Sequence, residues 1–156
     1  MLFRSDALLD AAHWDVRILA SDIDTDMLAA AEQGVYPAER VAGLPDSLRH
    51  RYFLRGRGPS EGLVRVRPEV RRLVTFRRIN LRDEQWTIRT VFDAIFCRNV
   101  LIYFDRRLQQ RVVGQLVDRL QPGGYLFLGH SESLLGMGAG LRYVAKTVYQ
   151  KVGERE

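Results

Sequence analysis

Four apolar runs in the chain end abruptly in residues able to do chemistry. VRILAS closes on Asp22, LVTFRRI on Asn80, FDAIFC on Arg98 and Asn99, and GYLFLG on His130, Ser131 and Glu132. In open α/β sheets ligands bind outside the carboxyl ends of the strands, so such residues are the first candidates for a site. One carboxylate can accept hydrogen bonds from both vicinal hydroxyls of a ribose, which suits Asp22 to a nucleotide-type cofactor. A helix N-cap competes for the same residue on equal terms. Asn80, Arg98 and Asn99 offer amide and guanidinium groups to an amino acid moiety or a base, and an ordinary loop hydrogen bond explains each of them equally well. His130, Ser131 and Glu132 are neighbours in sequence, which argues against a triad, because such groups normally come from separate elements.

Other chemistries are harder to build. Cys97 is the only cysteine, and His13, His50 and His130 lie far apart, so neither a disulfide nor a cysteine-rich metal site is expected. The chain holds 22 arginines against two lysines, Lys146 and Lys151, within a net charge of +5. Thirteen of those arginines fall between Arg40 and Arg89, against five acids, which makes that segment about +8. Such a face attracts a polyanion, either nucleic acid or an acidic protein surface, although a solvated Arg-rich face is the plainer explanation. No run of about 18 apolar residues is present to span a bilayer, and the opening MLFRSDALLDAAHWD has no signal-peptide core, so the expectation is a cytoplasmic protein.

The elements that must position these residues read as alternating strand and helix. VRILASD predicts a strand. TDMLAAAEQG predicts a helix capped by Asp24 or Thr25, with Met27, Leu28 and Ala31 on one face and Gly34 as its stop. PDSLRHRYFL predicts a second short helix entered at Pro45, followed by the glycine-punctuated loop RGRGPSEG. LVRVR and LVTFRRIN predict strands of a small β-element. VFDAIFC (91–97) predicts the next buried strand. Asp105 then caps a long helix whose apolar face is Leu108, Val112, Val113, Leu116, Val117 and Leu120, stopped by QPGG. GYLFLG and a closing antiparallel pair, RYVAK with VYQKV, complete a three-layer α/β order with a mostly parallel sheet.

Nearly the whole chain, residues 16–152, closely resembles the carboxyl-terminal part of the CheR family, which esterifies glutamates of bacterial chemoreceptors using S-adenosylmethionine. ASDIDTDML, RYFLRGRGPSEGLVRV, INL, FDAIFCRNVLIYF and GHSES carry the resemblance in order and in register. It implies a Rossmann-like methyltransferase sheet with a small antiparallel insert at about 50–73, within one partial catalytic domain over 1–156. It also implies that Asp22 holds the cofactor ribose, that Asn80 and Leu81 lie beside the adenine, and that Arg98 and Asn99 are cofactor-site residues. Tyr103 matches a tyrosine beside the sulfonium that helps place the acceptor; without the resemblance it reads as an aromatic packed at the start of the next helix.

Gly56, Gly58, Gly62 and Arg65 fall on positions that, in some members, let the insert take up an extended receptor tail peptide as an added strand. Glycines allow close backbone approach, and an exposed strand edge supplies the hydrogen bonds. A plain hairpin turn competes with this reading. A phosphate loop is disfavoured, because no Lys-Ser or Lys-Thr pair follows at helix-start spacing.

The implied partners are therefore acidic receptor helices and a tail peptide, with S-adenosylhomocysteine as product, no metal, no nucleic acid and no membrane insertion. The resemblance further implies that a central first strand, its glycine turn, an acidic cofactor ligand and an active-site arginine would all precede Met1. The sheet is thus expected to be incomplete at its amino-terminal side, and residues 1–13 match only the tail of the helix after that turn. Activity of the chain alone is not implied. Two other classes remain: a noncatalytic module that captures a receptor tail, and an RNA-binding or RNA-modifying domain suggested by the arginine content alone.

Overall fold

A computed structural model describes residues 15–134 and 140–153, so the expectation for residues 1–13 lies outside the described residues. The chain divides into two compact units, one ending at Asn80 and the other beginning at Leu81.

In the first unit, β1 (Ile18–Asp22) and β5 (Val74–Arg78) pair in parallel, with Ile18 opposite Val74 and Asp22 opposite Arg78. Between them in sequence comes α1 (Thr25–Gln33), which packs on both strands. Its N-cap is Asp24, whose carboxylate accepts from the Asp26 and Met27 amides at 2.8 and 3.2 Å. Gly34 ends it in a left-handed conformation.

A separate antiparallel sheet has the order β2 (Val35–Pro37), β4 (Leu63–Val66), β3 (Phe53–Arg55). It therefore recruits Val35–Pro37 from upstream of the expected insert. The helix predicted over PDSLRHRYFL is shorter than expected: α2 covers Asp46–Tyr52, and Phe53 and Leu54 turn into strand β3. Pairing with Val66 and Arg65 overrides the helical continuation there. A further short helix, α3 (Pro68–Arg71), leads into β5.

The second unit is built on the sheet order β6 (Phe92–Cys97), β7 (Leu120–Leu128), β9 (Val148–Lys151), β8 (Leu141–Ala145). β6 and β7 are parallel, β8 and β9 form the expected closing antiparallel pair, and β9 also pairs antiparallel with β7, so this sheet is mixed rather than mostly parallel. The long helix α4 (Arg106–Asp118) begins at Asp105, whose side chain accepts from the Leu108 amide at 2.8 Å. The expected apolar face is buried at Leu108, Val112, Val113 and Leu116, against a core that includes Leu120, Leu126 and Leu128. Each such side chain contributes roughly 1.5–3 kcal/mol of burial. QPGG is not a terminator after all. The helix already stops at Asp118, and the strand takes up residues from Leu120 onward. Lys151 fixes that junction by donating to the carbonyls of Val117 and Leu120 at 2.8 and 2.7 Å.

β1 and β6 each lie at an edge of the sheet of their own unit. No described helix is long and apolar enough to cross a membrane.

Candidate active site

The most constructed part of the molecule is the loop that leaves β6. Cys97 is buried at the end of the strand, while Arg98 and Asn99 emerge exposed. Burial, and after it the charge of Glu132, pushes the Cys97 thiol up to about 12, so it stays protonated and is no nucleophile at neutral pH.

Asn99 has φ +59°, a left-handed conformation that Asn tolerates better than most side chains do. What holds it there is Glu132, which is 6% exposed. One carboxylate oxygen accepts from the amides of Asn99 and Gly129 at 2.9 and 2.6 Å, and the other from those of Val100 and Leu101, both at 2.8 Å. Gln109 grips the far side of the same turn, donating to the carbonyls of Leu101 and Phe104 at 2.8 and 3.0 Å.

The turn continues as one 3₁₀ turn, Leu101–Tyr103, which leaves Tyr103 78% exposed. Tyr103 is therefore not the packed aromatic of the plainer alternative. His130 and Ser131 are exposed, and the carboxylate of Glu132 is engaged with backbone amides, which leaves no triad. Sequence reasoning placed Glu132 among the residues that follow GYLFLG but missed its role as acceptor for the β6 turn, because the polar run GHSES carries no local sign of that partner.

Leu81 is half-buried at the start of this unit. The segment after it is anchored by Arg119, which donates to the carbonyls of Trp86 and Ile88 and lies 5.0 Å from the centre of the Trp86 ring.

In the first unit Asp22 closes β1 and stands exposed. It is not the helix cap, a position that Asp24 holds; one Asp22 oxygen accepts from the Asp24 amide at 3.0 Å, which fixes the carboxylate's direction. Asn80 follows the paired strand β5 by two residues and is half-buried. The structure thus puts Asp22 and Asn80 at the ends of paired strands. Arg98, Asn99 and Tyr103 lie together on one turn.

The glycine loop sits in the insert. A Cβ on Gly56 would lie 1.9 Å from the Ser60 carbonyl oxygen, and Gly58 and Gly62 have φ of +57° and +80°. These glycines build the hairpin itself. Beyond it, β3 is one of the two edge strands, and Arg65 is exposed on the central strand β4. A cavity of about 290 Å³ opens in this insert, lined by Val41, Phe53 and Val64 with Asp46, Arg49, His50 and Arg55 around it. It is distinct from the strand-end residues.

An oriented carboxylate at the end of a paired strand, as Asp22 presents, has the chemistry of a ribose contact. Comparison with known families agrees: residues 1–150 match the CheR methyltransferase, SAM binding domain. The chain belongs to the CheR methyltransferase family. It is 51% identical over 134 residues to chemotaxis protein methyltransferase 2 of Pseudomonas aeruginosa, covering 86% of this chain and 48% of that relative. Against the chemotaxis protein methyltransferase of Escherichia coli K12 it is 46% identical over 133 residues, covering 85% and 46%.

The chain spans about half the length of the curated relatives it matches. Among solved structures, the N-methyltransferase NodS of Bradyrhizobium japonicum WM9 in complex with S-adenosyl-L-homocysteine aligns with TM-score 0.51 at 12% identity, over 86% of this chain and 66% of that one. At that identity the likeness speaks for the fold, which is the α/β methyltransferase fold that the CheR resemblance implies.

Proposed function

We propose that the chain is the cofactor-binding portion of a cytoplasmic protein-glutamate O-methyltransferase that acts on bacterial chemoreceptors with S-adenosylmethionine and without a metal. The observation that carries this reading is the family match over residues 1–150. When bound, S-adenosylmethionine supplies an electrophilic methyl group. Asp22 accepts from the ribose hydroxyls, Asn80 and Leu81 flank the adenine, and Arg98 and Asn99 contact the cofactor from the β6 turn. Tyr103, exposed on the same turn, helps to place the acceptor.

A glutamate of pKa ~4.3 is already the nucleophile at neutral pH, so the enzyme needs alignment more than a base. Holding the reacting atoms in line supplies roughly 7–11 kcal/mol. Arginine's planar fork suits it to aiming a carboxylate. The Arg-rich segment 40–89 speeds encounter with acidic receptor helices, and methylation rates then fall as salt is raised.

A second reading is a receptor-tail module without catalysis, favoured by the insert, whose sheet and free β3 edge are complete within the first unit. There a tail peptide would add as a strand beside the Gly56, Gly58, Gly62 and Arg65 positions.

Calorimetric titration with S-adenosylhomocysteine separates the two readings. Saturable binding that Asp22→Ala weakens by tenfold or more supports the cofactor site. A folded chain that binds a tail peptide but no S-adenosylhomocysteine leaves only the tail module.

A further inference from the structure

We propose that Glu132 is a positioning residue for the methyl-transfer site: its buried carboxylate sets the shape of the turn that presents Arg98, Asn99 and Tyr103. This rests on the cofactor reading above. Four backbone amides, those of Asn99, Val100, Leu101 and Gly129, converge on the two oxygens at 2.6 to 2.9 Å. Hydrogen bonds to a carboxylate are stronger than those between neutral groups, and a buried amide left without its acceptor is costly. Three of the four donors are consecutive, so the carboxylate fixes the backbone path of the turn.

The neighbouring strand end is shaped to admit that carboxylate. A Cβ on Gly129 would lie 2.6 Å from a Glu132 oxygen and 2.4 Å from the Asn99 side-chain oxygen. Only a bare Cα lets the carboxylate and the Asn99 amide group share the space. Asn99 itself is held at φ +59°, and its side chain leaves the turn from that conformation. The network therefore links the end of β7, where Gly129 lies, to the residues that follow β6. Errors of about 1 Å in such placement cost on the order of a hundredfold in rate, so the role is functional as well as structural.

Glutamine cannot replace the carboxylate. Its NH₂ end would face two backbone donors and accept from neither. Glu132→Gln is thus expected to release two of the four amides while keeping the side chain's volume. In nuclear magnetic resonance spectra of the wild-type chain the amide protons of residues 99, 100, 101 and 129 are expected downfield, as short bonds to a carboxylate require. The Gln variant shifts at least two of them upfield, and its affinity for S-adenosylhomocysteine falls tenfold or more. Signals from the insert, Phe53–Val66, stay in place.

Gly129→Ala keeps the charge and displaces it, and gives the same two changes. In the wild type, S-adenosylhomocysteine is expected to move the amide signals of residues 98–103, a measurement that needs no variant to fold.

Unchanged affinity in a folded Glu132→Gln chain overturns this proposal and spares the cofactor reading. Saturable binding that leaves residues 98–103 unmoved does the same. A wild-type chain that binds no S-adenosylhomocysteine overturns the cofactor reading, and the positioning role with it.

Discussion

The two units of this chain contain similar numbers of residues and solve the packing problem differently. In the second, eleven apolar side chains are buried among the described residues, including Leu120, Leu126 and Val112 with at most 1% exposure. In the first, the buried apolar side chains among the described residues are Val41 and Val64, while Ile18, Ile23 and Met27 stand about half exposed. The difference follows from the elements. A 13-residue helix with one apolar face packs on β7 of a four-stranded sheet in the second unit. The first divides its strands into a pair and a triplet, served by short helices. Candidate residues on the β6 turn therefore rest on a packed core, whereas Asp22 and Asn80 close a two-stranded ribbon. Two-stranded pairings are marginal by themselves.

The contrast can be broken or sharpened experimentally. Leu126→Ala, at a position with no exposure, is expected to destabilise the second unit by about 2–5 kcal/mol in urea unfolding followed by Trp86 fluorescence. A cost under about 1 kcal/mol would mean that the core is looser than its burial indicates. Gly56→Ala forces a side chain onto the Ser60 carbonyl and is expected to cost about 1–3 kcal/mol, read as faster amide exchange across Phe53–Val66. Loss of the Asp24 cap in Asp24→Ala should cost about 1 kcal/mol, seen as fraying of Thr25–Gln33. Met27→Ala, at a half-exposed site, is expected to stay within about 0.5 kcal/mol in the same exchange experiment.

Cys97 gives a pH test of the second unit. Its folded thiol is pushed from 9.0 up to about 12, so an unfolded chain loses this proton first. The stability it supports is complete below pH 9 and is lost as pH rises toward 12. A Cys97→Ala chain should show a smaller fall in urea midpoint between pH 8 and pH 10.5.

Much of this was legible in the sequence, for identifiable reasons. Asp24, Gly34 and Asp105 sit where capping chemistry demands them, so α1 and α4 could be placed from local signals. Leu108, Val112, Val113 and Leu116 repeat at helical spacing and are buried as that spacing predicts. Phe53 and Leu54 were misread as helix, because their strand state comes from partners more than ten residues away on β4. Val35–Pro37 joined the insert sheet for the same nonlocal reason. At the site, Arg98 and Asn99 were visible as a polar break in an apolar run. The reason for their backbone shape lay 33 residues downstream of Asn99, in an acid whose role depends on the parallel pairing of β6 and β7.

Lys151 bears on how this protein can be handled. Of the two lysines, it spends its ammonium on two carbonyls at the end of α4, while Lys146 lies exposed in the turn between β8 and β9. Amine-directed reagents at limiting dose therefore meet a single open lysine. A fluorophore or surface tether attached there would report on the protein from the far end of the closing hairpin, leaving the arginine-rich segment and its charge unmodified.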